Sequence, residues 1–342
     1  YAALSYCWGG SQTFKTTTRS LSGYTEKINI DNLPQTLQDA IFVTWNLDLR
    51  YIWIDALCII QDSDSDKAFE IGQMARVYSN ATITIAATRA KAVWGGFLGE
   101  RTMLGLECPN RVFSLPCQLG GEDLGNIILL PSIHEGLDPL DTRGWTFQER
   151  ILSPRIIDFG TFRTQYTCQN SLGEAPCDGW SSQPIEQAYG AGLNSRVMSD
   201  LISGSYPTQD MLSYWLGIVS GFTNRVLSFP SDRLPAIAGM AECFGLILKD
   251  DYLAGHWRAG LLPSLLWSNP RLMDLLPRAT GGNVDVPSWS WASASGHIIF
   301  HSFSTNPDDT TYFAAGVIEC TTEPTDMRVP YGGVKQGELL LQ

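Results

Sequence analysis

The chain has 342 residues, a length typical of one large domain or two ordinary ones. Hydrophobic residues make up 44% of it and charged residues 17%, and there are 11 tryptophans, a composition that excludes disorder over most of the chain. The formal net charge of −12 gives the molecule a field that repels nucleic acid and anionic membranes. We therefore expect no nucleic-acid partner.

The membrane and metal-binding classes are also disfavoured. The longest nearly apolar run, residues 234–248, is shorter than the roughly 20 residues that a membrane span needs, so we expect a buried helix and no span. The eight cysteines are widely spaced, with no Cys-x-x-Cys pair and no close histidine, which argues against zinc fingers and disulfide scaffolds. We predict mostly reduced core cysteines, no metal site and a cytoplasmic location.

The first half of the chain alternates between the hydrophobic periods of strands and helices. Residues 2–8, 51–54 and 82–87 are short apolar or β-branched runs that predict strands. Between them, residues 33–45 and 68–78 carry apolar side chains at helical spacing. Strands and helices that alternate over short connections predict an α/β fold, with a mainly parallel sheet and helices on both faces.

Ligands of such sheets bind beyond the carboxyl ends of the strands. That rule selects the turn after the first strand, with Tyr6 and Trp8, and the segment that begins at Asp55. The aromatic side chains would either stack on a ligand ring or pack in the core. Asp55 follows an apolar strand, where a carboxylate is costly to bury without hydrogen bonds, so it belongs to a structural network or to a site.

A further candidate segment surrounds Trp145. A cap-like start and helical spacing predict a helix within residues 141–152, on which Trp145 and Glu149 share a face because they are four residues apart. Residues 141–163 carry four arginines and three acids, so an anionic ligand would meet the least repulsion here. The arginines could equally be surface partners of nearby acids.

The second half is predicted to be a separate α+β region. After a strand and its hairpin partner over residues 155–168, a stretch rich in Gly, Ser, Asn and Pro is typical of a connection. Predicted helices cover residues 211–226, 236–248 and 257–267, predicted strands lie around Trp289 and Trp291, at 298–300 and at 317–320, and 306–310 is a turn. The predicted units are a domain of residues 1–168, a connecting segment of 169–206 and an accessory region of 207–342 packed on the domain.

Five blocks of the chain resemble, in order, the motifs of the fungal heterokaryon incompatibility (HET) domain. The blocks are residues 1–9 (YAALSYCWG), 33–40 (LPQTLQDA), 53–62 (WIDALCIIQD), 74–81 (MARVYSNA) and 143–150 (RGWTFQER). The resemblance covers residues 1–165 and implies a role in non-self recognition and programmed cell death. It also implies self-association and an upstream partner, such as an NLR-type or other incompatibility protein.

HET domains have been proposed as distant relatives of the Toll/interleukin-1 receptor (TIR) domain, whose enzymatic members cleave NAD at the nicotinamide glycosidic bond. In those members a Trp precedes the catalytic Glu by four residues, and Trp145 and Glu149 repeat that spacing. The resemblance thus implies a TIR-like or flavodoxin-like sheet and an NAD glycohydrolase with Glu149 as its catalytic carboxylate. NAD is then the substrate, and no cofactor is expected.

Cleavage of this bond passes through an oxocarbenium-like transition state, which a single carboxylate can stabilise because nicotinamide leaves as a neutral group. Aromatic side chains would stack on a ring of the dinucleotide, and Arg143 or Arg150 would contact its pyrophosphate. The predicted substrate-binding residues are Tyr6, Trp8, Asp55, Arg143, Trp145 and Gln148.

Two alternatives stay open. Glu70, in the predicted helix after residue 62, is a competing carboxylate. The chain could also be a non-enzymatic signalling module that self-associates or binds a partner through an aromatic surface. Other chemistries are disfavoured. The sequence contains no Gly-x-Gly-x-x-Gly dinucleotide-binding loop, no Gly-Lys-Ser/Thr phosphate-binding loop and no Gly-x-Ser-x-Gly nucleophile elbow of serine hydrolases.

Overall fold

A six-stranded sheet forms the centre of the N-terminal half. It appears in a computed structural model that describes residues 1–101, 113–119, 122–129, 137–168, 175–176, 208–270, 286–301 and 315–342. The strands are β1 (Ala2–Ser5), β2 (Ile52–Trp53), β3 (Ile83–Ala86), β6 (Arg155–Phe159), β7 (Thr164–Cys168) and β8 (Ala175–Pro176). Their order is β2-β1-β3-β6-β7-β8, with three parallel junctions followed by two antiparallel ones. The predicted mainly parallel sheet is confirmed.

Helices cover both faces of this sheet, as the sequence predicts. Ala2 and Leu4 of β1 pack with Leu37 on one face, whereas Ala3 packs with Tyr78 on the other. Successive side chains of a strand point to opposite faces, so a strand buried on both sides consists of consecutive apolar residues. The helices of this half are α1 (Leu21–Glu26), α2 (Gln35–Asn46), α3 (Asp55–Cys58), α4 (Asp64–Asn80) and α5 (Thr146–Leu152).

Helices α1 and α3 and strands β4 and β5 of this half were not predicted. Helix α1 has no buried residue, so it lacks the apolar period by which helices are recognised. Strands β4 (Phe113–Leu119) and β5 (Glu122–Leu129) pair with each other in an antiparallel hairpin outside the main sheet. Pro116 interrupts the apolar run of β4, and a proline within a run argues against a strand.

The C-terminal region is built from helices and two-stranded antiparallel sheets, which confirms its predicted α+β character. The helices are α6 (Thr208–Thr223), α7 (Ala238–Leu248) and α8 (Leu261–Ser264). The paired strands are β9 (Tyr252–Leu253) with β10 (His256–Trp257), β11 (Trp267–Ser268) with β12 (Ile299–Phe300), and β13 (Val317–Pro324) with β14 (Val334–Leu341). Within the described residues, no helix combines the length and the apolarity of a membrane span.

Three predictions about this region and the cysteines are wrong. The helix predicted over residues 257–267 is instead strand β10, a 3₁₀ turn, the single turn of α8 and strand β11. The strand predicted around Trp291 is a 3₁₀ helix, because Ser290 Oγ accepts a hydrogen bond from the Ala292 N–H and caps the turn. Cys58, predicted to be a core residue from its apolar neighbours, is exposed.

The predicted domain limits stay predictions. The connecting segment predicted for residues 169–206 lies outside the described residues except for Ala175–Pro176, as does the predicted turn at 306–310. Ala175–Pro176, which fall inside that segment, pair with β7 and extend the main sheet by one strand.

Buried tryptophans join the two halves into a continuous core. Trp215, Trp257 and Trp291 are at most 1% exposed, and the ring of Trp215 lies 5.8 Å from that of Trp257. The same cluster includes Ala3 of β1 and Phe147 of α5. Helix α5 is therefore buried between the main sheet and the C-terminal region, which fixes its position relative to the end of β1.

Asp39 on α2 holds the loop that follows β3, since its Oδ2 accepts hydrogen bonds from the N–H groups of Phe97 (2.7 Å) and Leu98 (3.1 Å). We expect Asp39→Ala to lower the free energy of unfolding by about 2 kcal/mol, because it leaves these amides without their acceptor. Urea denaturation measures the change. The exposed Asp31→Ala is the control, expected to change stability by less than about 0.5 kcal/mol. An equal effect of both substitutions would contradict the prediction.

Candidate functional site

The strand order predicts a ligand-binding crevice at the carboxyl end of β1. The order β2-β1-β3 is that of flavodoxin-like sheets, in which successive connections leave β1 on opposite sides and a binding crevice opens between β1 and β3. The segment that leaves β1 at this point carries Tyr6, Cys7 and Trp8. Tyr6 and Cys7 are buried and Trp8 is half-buried, while the following Gly9 and Gly10 are exposed. The end of β1 thus leads from the core to the surface.

Glu149 lies against the last residue of β1. Ser5 Oγ donates a hydrogen bond of 2.5 Å to Glu149 Oε2, and the glutamate is only 6% exposed. The hydroxyl of Tyr78 on α4, which donates to the carbonyl oxygen of Leu4 at 3.0 Å, faces the same carboxylate. The carboxylate is therefore held between the main sheet, α4 and α5.

Burial raises the pKa of Glu149 from its ordinary value of 4.5 to about 7. The negative charge of Asp55 raises this pKa further, whereas the hydrogen bond from Ser5, the nearby hydroxyl of Tyr78 and the positive charge of Arg143 oppose the shift. A carboxyl group that titrates near neutral pH is suited to proton transfer or to stabilising a developing positive charge.

Asp55 forms a second polar centre with the two aromatic residues that follow β1. Trp8 Nε1 donates to Asp55 Oδ2 at 2.8 Å, and the Ala56 N–H donates to Asp55 Oδ1 at 2.6 Å. The Tyr6 hydroxyl faces the same carboxylate and accepts a hydrogen bond from Gln12 Nε2 at 3.1 Å. Burial raises the pKa of Asp55, and these hydrogen bonds partly offset it. The hydrogen-bond network expected for Asp55, which is half-buried, is thus present at the carboxyl end of β1.

Arg143 supplies the positive charge of this cluster. Its guanidinium is near enough to lower the pKa values of both Glu149 and Asp55, and it hydrogen-bonds the thiol of Cys7. Among the residues that the structure describes, no carboxylate lies within 4 Å of Arg143 as an ion-pair partner. With both carboxylates ionised, the cluster of Glu149, Asp55 and Arg143 therefore carries one excess negative charge.

The other two predicted binding residues lie away from the crevice. Trp145 Nε1 donates to Asp232 Oδ2 at 3.1 Å, in the C-terminal region. Gln148, 2% exposed, accepts a hydrogen bond from the N–H of Gly239 at the start of α7. The structure therefore brings Tyr6, Trp8, Asp55 and Arg143 together with Glu149, and it places Trp145 and Gln148 where α5 packs on the C-terminal region.

Arg150 and Glu70, the alternative candidates for the pyrophosphate contact and the catalytic carboxylate, lie in other environments. Arg150 pairs with Asp158 of β6 and, at 3.1 Å, with Asp141, so its guanidinium fastens α5 to the sheet instead of facing the crevice. Glu70 lies on α4, where burial and the charge of Asp66 raise its pKa.

Sequence reasoning missed the groups that hold Glu149 in place. Ser5 is the one polar residue of β1, and Tyr78 lies on the apolar face of α4, so both fit a core pattern. A second buried chain runs from Thr84 Oγ1 to Ser153 Oγ (2.6 Å) and from there to the backbone oxygen of Glu149 (2.6 Å). A polar residue inside an otherwise apolar strand is the only sequence pattern that could have indicated Ser5.

Residues 1–149 match the family model of heterokaryon incompatibility protein (HET). The N-terminal part of the chain is therefore similar to HET domains. No curated protein and no solved structure matched the chain. The match includes every residue of the Glu149, Asp55 and Arg143 cluster and ends at Glu149 itself. The resemblance to HET domains is confirmed, whereas that to TIR domains stays a prediction.

The buried carboxyl group of Glu149 should lower the free energy of unfolding of the protein at high pH. Because its native pKa of about 7 exceeds its ordinary value of 4.5, the native state binds more protons than the unfolded state between these values, and stability falls as the pH rises through this window. Glu149→Gln should therefore raise the free energy of unfolding at pH 8 by up to about 3 kcal/mol, and by much less at pH 5. Urea denaturation at both pH values measures the difference.

The exposed Glu26→Gln is the control for this comparison and should give the same small change at pH 5 and pH 8. If Glu149→Gln were less stable than the wild type at pH 8, the ionised carboxylate would be a net stabilising group, contrary to this account.

Proposed function

We propose that this HET protein is an effector of heterokaryon incompatibility and programmed cell death that hydrolyses NAD⁺ at its nicotinamide N-glycosidic bond, with Glu149 as the catalytic carboxylate. The observation that supports this proposal is the burial of Glu149 beside Asp55 and Arg143 at the carboxyl end of β1. A carboxylate held in a desolvated crevice of a doubly wound sheet is poised to stabilise positive charge on a bound ligand.

The charge of the cluster favours a cationic substrate. Two carboxylates and one guanidinium leave an excess negative charge, and the oxidised nicotinamide ring is positively charged. Arg143 would attract the anionic pyrophosphate, while half-buried Trp8 offers an indole for stacking on a ring. Tyr6 and Asp55 would hold Trp8 in place through the hydrogen bonds that they form.

The proposed chemistry needs one carboxylate and one water molecule. The bond from the ribose C1′ to the nicotinamide nitrogen breaks, and its electron pair leaves with nicotinamide, which becomes neutral. The oxocarbenium ion that forms is stabilised by ionised Glu149, water adds to C1′, and one proton is released. Ser5 and Tyr78 keep the carboxylate oriented during this step through their contacts with it.

A non-enzymatic role in self-association is the second candidate, and exposed aromatic residues favour it. Phe42 and Trp45 of α2 are 57% and 59% exposed, and Tyr51, just before β2, is 70% exposed. Strand β2 lies at the edge of the main sheet, where unpaired backbone groups can pair with another chain.

Release of nicotinamide from NAD⁺ by the purified protein tests the enzymatic proposal. We expect Glu149→Gln to lower kcat by about 10³-fold, the loss typical of removing one stabilising group from a buried site. Glu26→Gln should keep the wild-type rate. Wild-type turnover by Glu149→Gln would show that the site is assigned wrongly. A wild-type protein that releases no nicotinamide, at low or high protein concentration, would favour the self-association role.

The pH profile gives an independent prediction. Because ionised Glu149 is the active form, kcat/KM should rise with pH through an apparent pKa near 7. The Ser5 hydrogen bond lowers the pKa of Glu149, so Ser5→Ala should move this midpoint to higher pH. Ser79→Ala, an exposed change on α4, is the control. An unchanged or more acidic midpoint in Ser5→Ala would contradict the role assigned to Glu149.

A further inference from the structure

The segment that carries Arg143 is held from outside the HET match. The Val226 N–H donates to the carbonyl oxygen of Thr142 at 2.7 Å, and the Gly144 N–H donates to the carbonyl oxygen of Val226 at 2.8 Å. These two hydrogen bonds make a parallel bridge between Arg143 and Val226. The turn after α6 is thus paired with the strand-like segment that leads into α5.

Arg225 strengthens this contact at the start of α5. One of its guanidinium nitrogens, Nη1, donates to the carbonyl oxygen of Arg143 and to Thr146 Oγ1, each at 3.1 Å. The guanidinium carbon lies 5.1 Å from the ring centroid of Phe147, which is fully buried. A single side chain therefore joins the backbone of Arg143 to the first residue of α5.

Close packing at Gly144 shows how tightly this contact is built. A Cβ atom added to Gly144 would lie 2.4 Å from Leu227 Cδ2, nearer than side-chain carbons approach. The close contact with the turn after α6 therefore explains why the RGWTFQER block has a glycine at position 144. Since Glu149 lies only three residues after Thr146, a shift of this contact would move both Glu149 and Arg143.

We infer that Arg225 is a positioning residue for the proposed reaction, which holds Arg143 and Glu149 in their reacting arrangement from outside the HET domain. The expected effect on the rate rests on the proposed function. The structural claim, that Arg225 holds the segment of Arg143 and Glu149 in place, does not depend on it. A displacement of about 1 Å at reacting groups costs on the order of 10²-fold in rate. The C-terminal region thereby controls the rate at a site to which its described residues contribute no reacting group.

The test compares Arg225→Ala and Arg225→Lys with Arg76→Ala. Arg76 is a matched control, because its exposed ion pair with Glu242 (3.3 Å) also joins the HET domain to the C-terminal region, but away from the crevice. Nicotinamide release gives kcat and KM, amide hydrogen exchange reports on residues 142–150, and thermal unfolding checks that each variant is folded.

We expect Arg225→Ala to lower kcat by about 10²-fold, with KM changed less than about threefold, and to speed amide exchange within residues 142–150. Arg225→Lys, which keeps the charge but loses the planar guanidinium beside the Phe147 ring, should fold normally and lose about tenfold in kcat. Arg76→Ala should match the wild type in both measurements. If the alanine variant does not fold, the lysine variant decides the result.

Wild-type kcat in the folded Arg225 variants would overturn the inference, as would unchanged exchange over residues 142–150. If the wild-type protein releases no nicotinamide, the proposed function fails, and the exchange measurement still decides whether Arg225 holds this segment. Faster exchange confined to residues 142–150 then supports the structural claim.

Discussion

The placement of one carboxylate, that of Glu149, sets the requirements for much of this structure. Burying an acid is unfavourable unless it is hydrogen-bonded, and here Ser5 of β1 meets that requirement while the hydroxyl of Tyr78 on α4 lies beside the carboxylate. To bring the acid there, α5 must lie across the end of β1, where Arg150 and the Thr84 to Ser153 contact fasten it to the sheet. The packing of α5 on the C-terminal region closes the remaining side.

The alternation of strands and helices in the first half was predictable because each element buries a whole face and shows it as a period in the sequence. Short elements fixed by single side chains were not predictable. The capping of Trp291 by Ser290 and the hairpin containing Pro116 depend on local hydrogen bonds that hydrophobicity does not reveal. At these positions the local hydrogen bonds of one residue determine the structure, and the average hydrophobicity of the surrounding residues does not predict it.

The residues of the candidate site were likewise predictable only in part. Tyr6, Trp8 and Asp55 could be selected in advance, since ligands bind beyond the carboxyl ends of parallel strands and these residues follow two of them. Trp145 was harder to place, because its spacing from Glu149 predicts a shared face but not which neighbour its indole contacts, here Asp232. Contacts between residues more than 80 positions apart are decided by the packing of whole elements.

The limit of the family match has a practical consequence for work with fragments. A polypeptide cut after Glu149 would end inside α5 and lose β6 together with Arg150, which pairs with Asp141. Strand β3 would become a bare sheet edge, a template for aggregation in an expression host. Inactivity of such a fragment in cells would reflect misfolding and not the chemistry of its carboxylates. Experiments on this protein therefore require a polypeptide that keeps the C-terminal part of the shared core, including Trp257 and Trp291.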